Sequence, residues 1–175
     1  MRPTGAGTMP EWSVEPLARH HERSGFSCGK PPLDEFLRTL VSQYEKRQLG
    51  RTYVAVFPGT AKVAGYYTLA SGAIPFQNLP PAAAKKLPRH PVPAVILARL
   101  AVDTAAQGQG LGETLLIDAL RCTLGLSAAL GIHAVGVDAI DAQAQAFYEK
   151  YGFTPLPDQP LRLYLPVATI HRAIG

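Results

Sequence analysis

Apolar positions along this chain recur with two periods, about two residues and about 3.6, and their succession predicts strands alternating with helices. Residues 12–17 read as a first short strand. From Pro31 onward, Leu33, Phe36, Leu37, Leu40, Val41 and Tyr44 keep a helical period. Proline suits that first turn, and Asp34 and Glu35 oppose the positive end of the helix dipole. Residues 52–57 and 62–70 flank Pro58-Gly59 and predict a β-hairpin. Residues 94–102 form a buried-strand pattern, a helix is expected from about Gly110 to Leu124 or slightly beyond, and residues 132–138 read as the next strand. Asp141 is a suitable N-cap for a helix through Tyr151, in which Ala144, Phe147, Tyr148 and Tyr151 share a face. Gly152 then falls in the C′ position, and residues 162–166 give a last short strand. The order β–α–β–β–excursion–β–α–β–α–β predicts an α/β fold with a mixed sheet in a single domain.

Residues 71–94 interrupt this regularity. Pro75, Pro80, Pro81, Pro88, Pro91 and Pro93 fall there, with Lys85, Lys86, Arg89 and His90 among them. A short helix around residues 82–86 fits, and prolines this dense are not expected in a central sheet. An excursion of this length over a surface usually carries function. Residues 1–10 are rich in glycine and proline and are expected to be disordered, which leaves 11–175 as the domain.

Composition narrows the picture only moderately. With 47% hydrophobic and 17% charged residues in 175, the chain can bury a proper core. A net charge of +4 and a pI near 9.2 suit an anionic partner, a nucleotide cofactor or RNA, without demanding one. Cys28 and Cys122 lie far apart without CxxC spacing, so neither a disulfide framework nor a zinc site is implied. No metal ligand set stands out. No apolar run approaches the length of a membrane span, and a soluble cytoplasmic protein is expected.

The strongest chemical signal is a corner. The strand ending Arg99-Leu100-Ala101-Val102-Asp103 leads to Gln107-Gly108-Gln109-Gly110-Leu111-Gly112 and then to a helix. A strand, a glycine loop and a helix N-terminus together present outward backbone N–H groups to an anion. The loop is not a Walker loop, because no Gly-Lys-Ser/Thr follows, and it matches the Rossmann spacing poorly. Downstream, Phe147, Tyr148 and Tyr151 are either a core stripe or a means of aiming one tyrosine hydroxyl at a bound cofactor. Arg38, Lys46, Arg47 and Arg51 fit a solvated helix face as well as the edge of a nucleic-acid surface. Cys28 lacks a partnering histidine and reads as a small packed residue, and His133 as an ordinary strand residue. Asp103 and Asp138 read as loop caps at strand ends rather than as bases.

Gln107-x-x-Gly110-x-Gly112 after Arg99-Leu-Ala-Val-Asp103, with Phe147-Tyr148-x-x-x-Gly152-Phe153 beyond a further strand, resembles the GCN5-related N-acetyltransferases. The resemblance implies a sheet whose central strands splay apart. It implies acetyl-CoA, with the backbone of Leu100, Ala101 and Val102 along the pantetheine and acetyl group. Gln107, Gly108, Gln109, Gly110, Leu111 and Gly112 would meet the pyrophosphate, and Tyr148 would protonate the departing thiolate. A tyrosine of near-normal pKa stays protonated at neutral pH and can donate.

Phe26-x-Cys28-Gly29-x-x-x-Leu33-Asp34-x-Phe36-Leu37, Gly65-Tyr-Tyr-Thr-Leu, Lys85-Lys-Leu-Pro-Arg89 and Val137-Asp-Ala139 extend the likeness to the TacT/AtaT-type toxins of toxin–antitoxin pairs. That resemblance implies acetylation of the α-amine of aminoacyl-tRNA, arrest of translation, a homodimer and a cognate ribbon-helix-helix antitoxin. Lys85, Lys86, Arg89 and Arg99 become the candidate contacts to tRNA. His90 departs from the aromatic residue expected there. The alternatives are an acetyltransferase acting on a small amine, peptide or protein, and a non-catalytic module that binds CoA or RNA.

Overall fold

The computed structural model describes residues 11–175, so the expectation for residues 1–10 lies outside the described part. The elements are β1 (Val14–Pro16), α1 (Pro31–Glu35), a π turn (Phe36–Leu40), α2 (Val41–Lys46), β2 (Arg51–Val56) and β3 (Val63–Ile74). They continue with α3 (Pro81–Ala84), β4 (Val92–Val102), α4 (Leu111–Ser127), β5 (Ala134–Asp138), α5 (Ala142–Lys150), β6 (Thr154–Leu156), β7 (Gln159–Pro166) and α6 (Val167–Ile174). The strands form one mixed seven-stranded sheet in the order β1-β2-β3-β4-β5-β7-β6.

The described residues group into two compact units. The first holds the chain up to Thr68 together with Arg99–Asp118. In it β1 runs antiparallel to β2, with Val14 opposite Ala55 and Pro16 opposite Tyr53. Phe26, Phe36, Leu37, Val41, Val54, Val63 and Tyr66 make its core. The Tyr66 hydroxyl donates to the Leu33 carbonyl at 2.6 Å, so this buried ring keeps its polar tip satisfied.

The second unit holds Leu69–Ala98 and Ala119–Gly175. Here β5 lies parallel to β4 from Ala94↔Ala134 to Leu97↔Val137, while β4 itself runs on to Val102. β7 pairs antiparallel with both β5 and β6. Ile74, Leu79, Val92, Ala94, Ala134, Leu156 and Tyr164 form the core.

Several elements depart from the sequence expectation for identifiable reasons. The first helix is interrupted by a π turn, in which the Val41 N–H bonds the Phe36 carbonyl five residues back. The extra residue rotates Leu40 out to 38% exposure while Phe36, Leu37 and Val41 stay buried. β3 continues to Ile74, beyond the predicted end at residue 70. Gly72 makes that continuation possible, since a Cβ there would sit 2.5 Å from Ile96 Cγ1. The excursion therefore shrinks to residues 75–91, and its short helix falls at Pro81–Ala84. Pro93 does enter β4, contrary to expectation; it lies just before the first β5 pair, and its carbonyl accepts the His133 N–H at 2.9 Å. β6 and α6 were not anticipated: β6 is three residues long and contains Pro155, and α6 starts directly behind Pro166.

Candidate active site

The corner after β4 is built by side chains that grip carbonyls. Asp103 ends the strand, accepting the Ala105 N–H on Oδ1 at 2.9 Å and the Ser27 N–H on Oδ2 at 3.1 Å. Both carboxylate oxygens are thus engaged in shaping loops, as a cap requires. The Gln107 carboxamide donates to the carbonyls of Val102 (3.0 Å) and Cys28 (3.2 Å). Gln109 donates to Ala105 O at 3.3 Å, and the Trp12 indole N–H donates to Gln109 O at 3.3 Å. None of these bonds consumes a backbone N–H between Gln107 and Gly112.

Gly108 (φ +77°) and Gly110 (φ +79°) are both left-handed, and a Cβ at either would point into open space. Glycine is required there by conformation rather than by crowding within the chain. Gly112 lies in the first turn of α4, where glycine costs about 0.5–1 kcal/mol against alanine. Gly110 directly precedes α4, and its carbonyl accepts the Thr114 N–H at 3.1 Å. The N–H groups of Leu111, Gly112 and Glu113 have no acceptor within the helix. The corner can therefore hold a multiply charged anion such as a diphosphate by backbone donors and the helix dipole. The Gln107 side chain is spent on Val102 and Cys28, so only its backbone is left to face such an anion.

Gly65 on β3 lets the start of α4 come close. A Cβ there would lie 2.9 Å from Leu111 Cδ2 and Leu115 Cδ1 and 3.1 Å from the Ala101 carbonyl. Gly65→Ala is expected to cost about 1–3 kcal/mol, lowering the Tm by about 2–4 °C per kcal/mol. A thermal melt with and without CoA measures it.

Arg99 finds its partners in aromatic rings. Its guanidinium carbon sits 3.6 Å from the Phe36 ring centroid and 5.2 Å from that of Tyr44. Phe36 is the first residue of the π turn. A charge on a half-buried strand residue is thereby accommodated by cation–π contact.

Tyr148 lies in the second unit, on α5. Asp141 caps that helix, accepting the Ala144 N–H at 2.9 Å. Gly152, at φ +95°, turns the chain so that Phe153 returns onto Tyr148, ring centroids 5.5 Å apart. Phe147 meets the same ring edge-on at 5.3 Å. Tyr148 is only 5% exposed, which fits the core-stripe reading. Burial pushes its hydroxyl pKa well above the ordinary tyrosine value, which keeps the proton in place.

Lys85, Lys86, Arg89 and His90 are all exposed. His90, Pro91, Ile132 and His133 line part of a surface cleft of about 320 Å³ in the same unit. Cys28 is packed and inert, as expected. Burial, reinforced by Asp34, pushes its thiol up to about 11. Asp34, expected at the helix start, is buried and accepts the Cys28 N–H at 2.7 Å. Asp138 pairs with Arg162 at 2.7 Å. Glu15, His20 and His21 bring three ligand-type atoms within 4.8 Å of one another. The His21 Nδ1 accepts the Ala18 N–H at 2.9 Å, which puts the ring proton on Nε2, facing Glu15 at 2.6 Å. That nitrogen has no lone pair for a metal in this tautomer, and the cluster is a loop staple. Sequence reasoning missed the roles of Trp12 and Gly65 in the corner. The lone tryptophan was the available signal for the first.

The profile of the acetyltransferase (GNAT) domain matches residues 48–155. A protein of Mycobacterium tuberculosis named "tRNA-acetylating toxin" is 36% identical over 152 residues, 87% of this chain and 90% of that one. A "Probable toxin TacT" of Sinorhizobium fredii is 32% identical over 171 residues, 93% of this chain and 94% of that one. Among solved structures, AtaT complexed with acetyl-methionyl-tRNAfMet superposes with a TM-score of 0.86 at 31% identity, covering 94% of this chain and 100% of that one. Similar structures include AtaTR bound with acetyl-CoA (TM-score 0.80, 32% identity, 94% and 98% coverage). Another is a Tyr-to-Phe variant of AtaT bound to the C-terminus of the antitoxin AtaR (TM-score 0.80, 29% identity, 95% and 99% coverage).

Proposed function

Because the chain belongs to the GNAT acetyltransferase family, we propose that it transfers the acetyl group of acetyl-CoA to the α-amine of aminoacyl-tRNA and so arrests translation. The observation that carries this reading is the anion corner, with Gly108 and Gly110 left-handed and the loop's backbone N–H groups left available by its side-chain clamps. The acceptor is supported by the relatives, one named as a tRNA-acetylating toxin and one solved with acetyl-methionyl-tRNA.

In this reading Gln107–Gly112 hold the diphosphate of acetyl-CoA, which supplies the activated acetyl group. The backbone of Leu100, Ala101 and Val102 orients the pantetheine and thioester. The free amine attacks the thioester carbonyl, a C–N bond forms, and the amine gives up a proton to water. The C–S bond then breaks, the sulfur takes the proton of the Tyr148 hydroxyl, and Tyr148 regains one from solvent. Positioning, donors at the carbonyl and a placed acid are what this acyl transfer needs.

Lys85, Lys86 and Arg89 hold tRNA phosphates, joined by the N–H edges of Arg99. Lys85→Glu with Lys86→Glu is expected to raise the KM for tRNA about tenfold or more, with the Kd for acetyl-CoA unchanged. The salt dependence of tRNA binding should flatten by about 0.7–0.9 per lost phosphate contact. Calorimetry with CoA and filter binding with tRNA at graded salt separate the two.

The chain acts as a cytoplasmic homodimer restrained by a ribbon-helix-helix antitoxin. An AtaT structure containing the C-terminus of AtaR supports the antitoxin, and among the described residues no helix is long and apolar enough to cross a membrane. The test is a cell-free translation reaction: protein synthesis should stop only when the protein and acetyl-CoA are both present. Undiminished synthesis overturns the proposal.

A further inference from the structure

Trp12 is the single tryptophan of the chain. It lies just ahead of β1, whose pairing with β2 sets Val14 opposite Ala55. Phe57, directly after β2, meets its ring edge-on at 6.3 Å and 70°. The half-buried indole is thus fixed by the sheet edge. From there its N–H donates at 3.3 Å to the carbonyl of Gln109, 97 residues away.

The position of that carbonyl matters. Gln109 lies between Gly108 and Gly110, both at positive φ. A peptide unit next to a left-handed glycine can rotate with little steric resistance, because no Cβ opposes the change. In a trans peptide the C=O and the following N–H point in opposite directions. Holding the Gln109 carbonyl toward Trp12 therefore aims the Gly110 N–H the other way. A rotated peptide would present a carbonyl oxygen where an anion needs a donor. The Gln107 and Gln109 side chains grip the carbonyls of Val102, Cys28 and Ala105. The Trp12 bond holds a carbonyl between the two left-handed glycines.

We propose that Trp12 is a positioning residue for the diphosphate end of acetyl-CoA: its indole N–H locks the Gln109–Gly110 peptide so that the Gly110 N–H serves the anion. The proposal rests on the acetyl-CoA reading above. Trp12→Phe keeps a ring against Phe57 and removes only the donor. The Kd for CoA, measured by calorimetry, should rise about five- to tenfold, the value of one hydrogen bond. S-acetylpantetheine, which lacks the diphosphate, should serve as donor for wild type and variant with the same kcat/KM.

An unchanged Kd for CoA overturns the proposal. So does an equal loss with S-acetylpantetheine, which would mean that Trp12 acts on the fold or on the acetyl end. A second measurement needs no variant: the emission of this sole tryptophan should shift when CoA saturates the wild-type protein and stay put with pantetheine. No shift at saturating CoA also overturns the proposal. A wild-type protein that fails to bind CoA at all overturns the acetyl-CoA reading instead.

Discussion

Tyr148→Phe is expected to lower kcat for acetyl transfer by roughly a hundred- to ten-thousandfold, the usual contribution of a placed general acid. The Kd for acetyl-CoA should stay within about twofold of wild type. The substitution removes one oxygen from a residue whose ring packs on Phe147 and Phe153, contacts that phenylalanine reproduces. The helix cap at Asp141 and the left-handed Gly152 are untouched, so the fold should survive. Burial raises the pKa of the hydroxyl, so Tyr148 stays protonated over a wider range than an exposed tyrosine. The pH–rate profile of the wild type should accordingly show no fall from tyrosine ionisation up to at least about pH 10, the ordinary value. A steady-state comparison of the two proteins, with CoA thiol release as readout, decides the matter. Full activity in the variant would remove Tyr148 from the mechanism.

Gly110→Asp should weaken CoA binding by at least about a hundredfold. Two effects combine. A residue with a Cβ at φ +79° costs about 1–2 kcal/mol in backbone strain. The side chain then enters the open space beside the loop, and its negative charge faces the diphosphate. Gly110→Asn separates them, because asparagine tolerates the left-handed region about as well and carries no charge. Calorimetry should rank wild type, Asn and Asp in that order. Equal affinities for Asn and Asp would mean that no anion approaches this loop.

The strand–glycine loop–helix corner was legible in the sequence, and the reason is local. Gly108, Gly110 and Asp103 carry conformational demands that do not depend on distant residues, so a strand–loop–helix pattern exposes them. The cap at Asp141 and the turn at Gly152 were legible in the same way. What escaped depends on contacts distant in sequence. Trp12 reaches Gln109 across most of the first unit, and Gly65 is explained only by Leu111, Leu115 and the Ala101 carbonyl. Arg99 rests on Phe36 and Tyr44, and neither period nor composition names that contact. The π turn hides in a helical repeat because Leu40 looks like one more core position until the extra residue rotates it outward. β6 and α6 were too short and too close to proline for periodicity to register.

Acetylation of an aminoacyl α-amine leaves a mass signature. The purified protein is incubated with acetyl-CoA and a pool of charged tRNAs, and the aminoacyl groups are then released and weighed. One added acetyl group is expected on the α-amine of a subset of aminoacyl esters, dependent on acetyl-CoA and lost with Tyr148→Phe. An unmodified aminoacyl pool, from a protein that binds acetyl-CoA and acetylates some other amine, would contradict it.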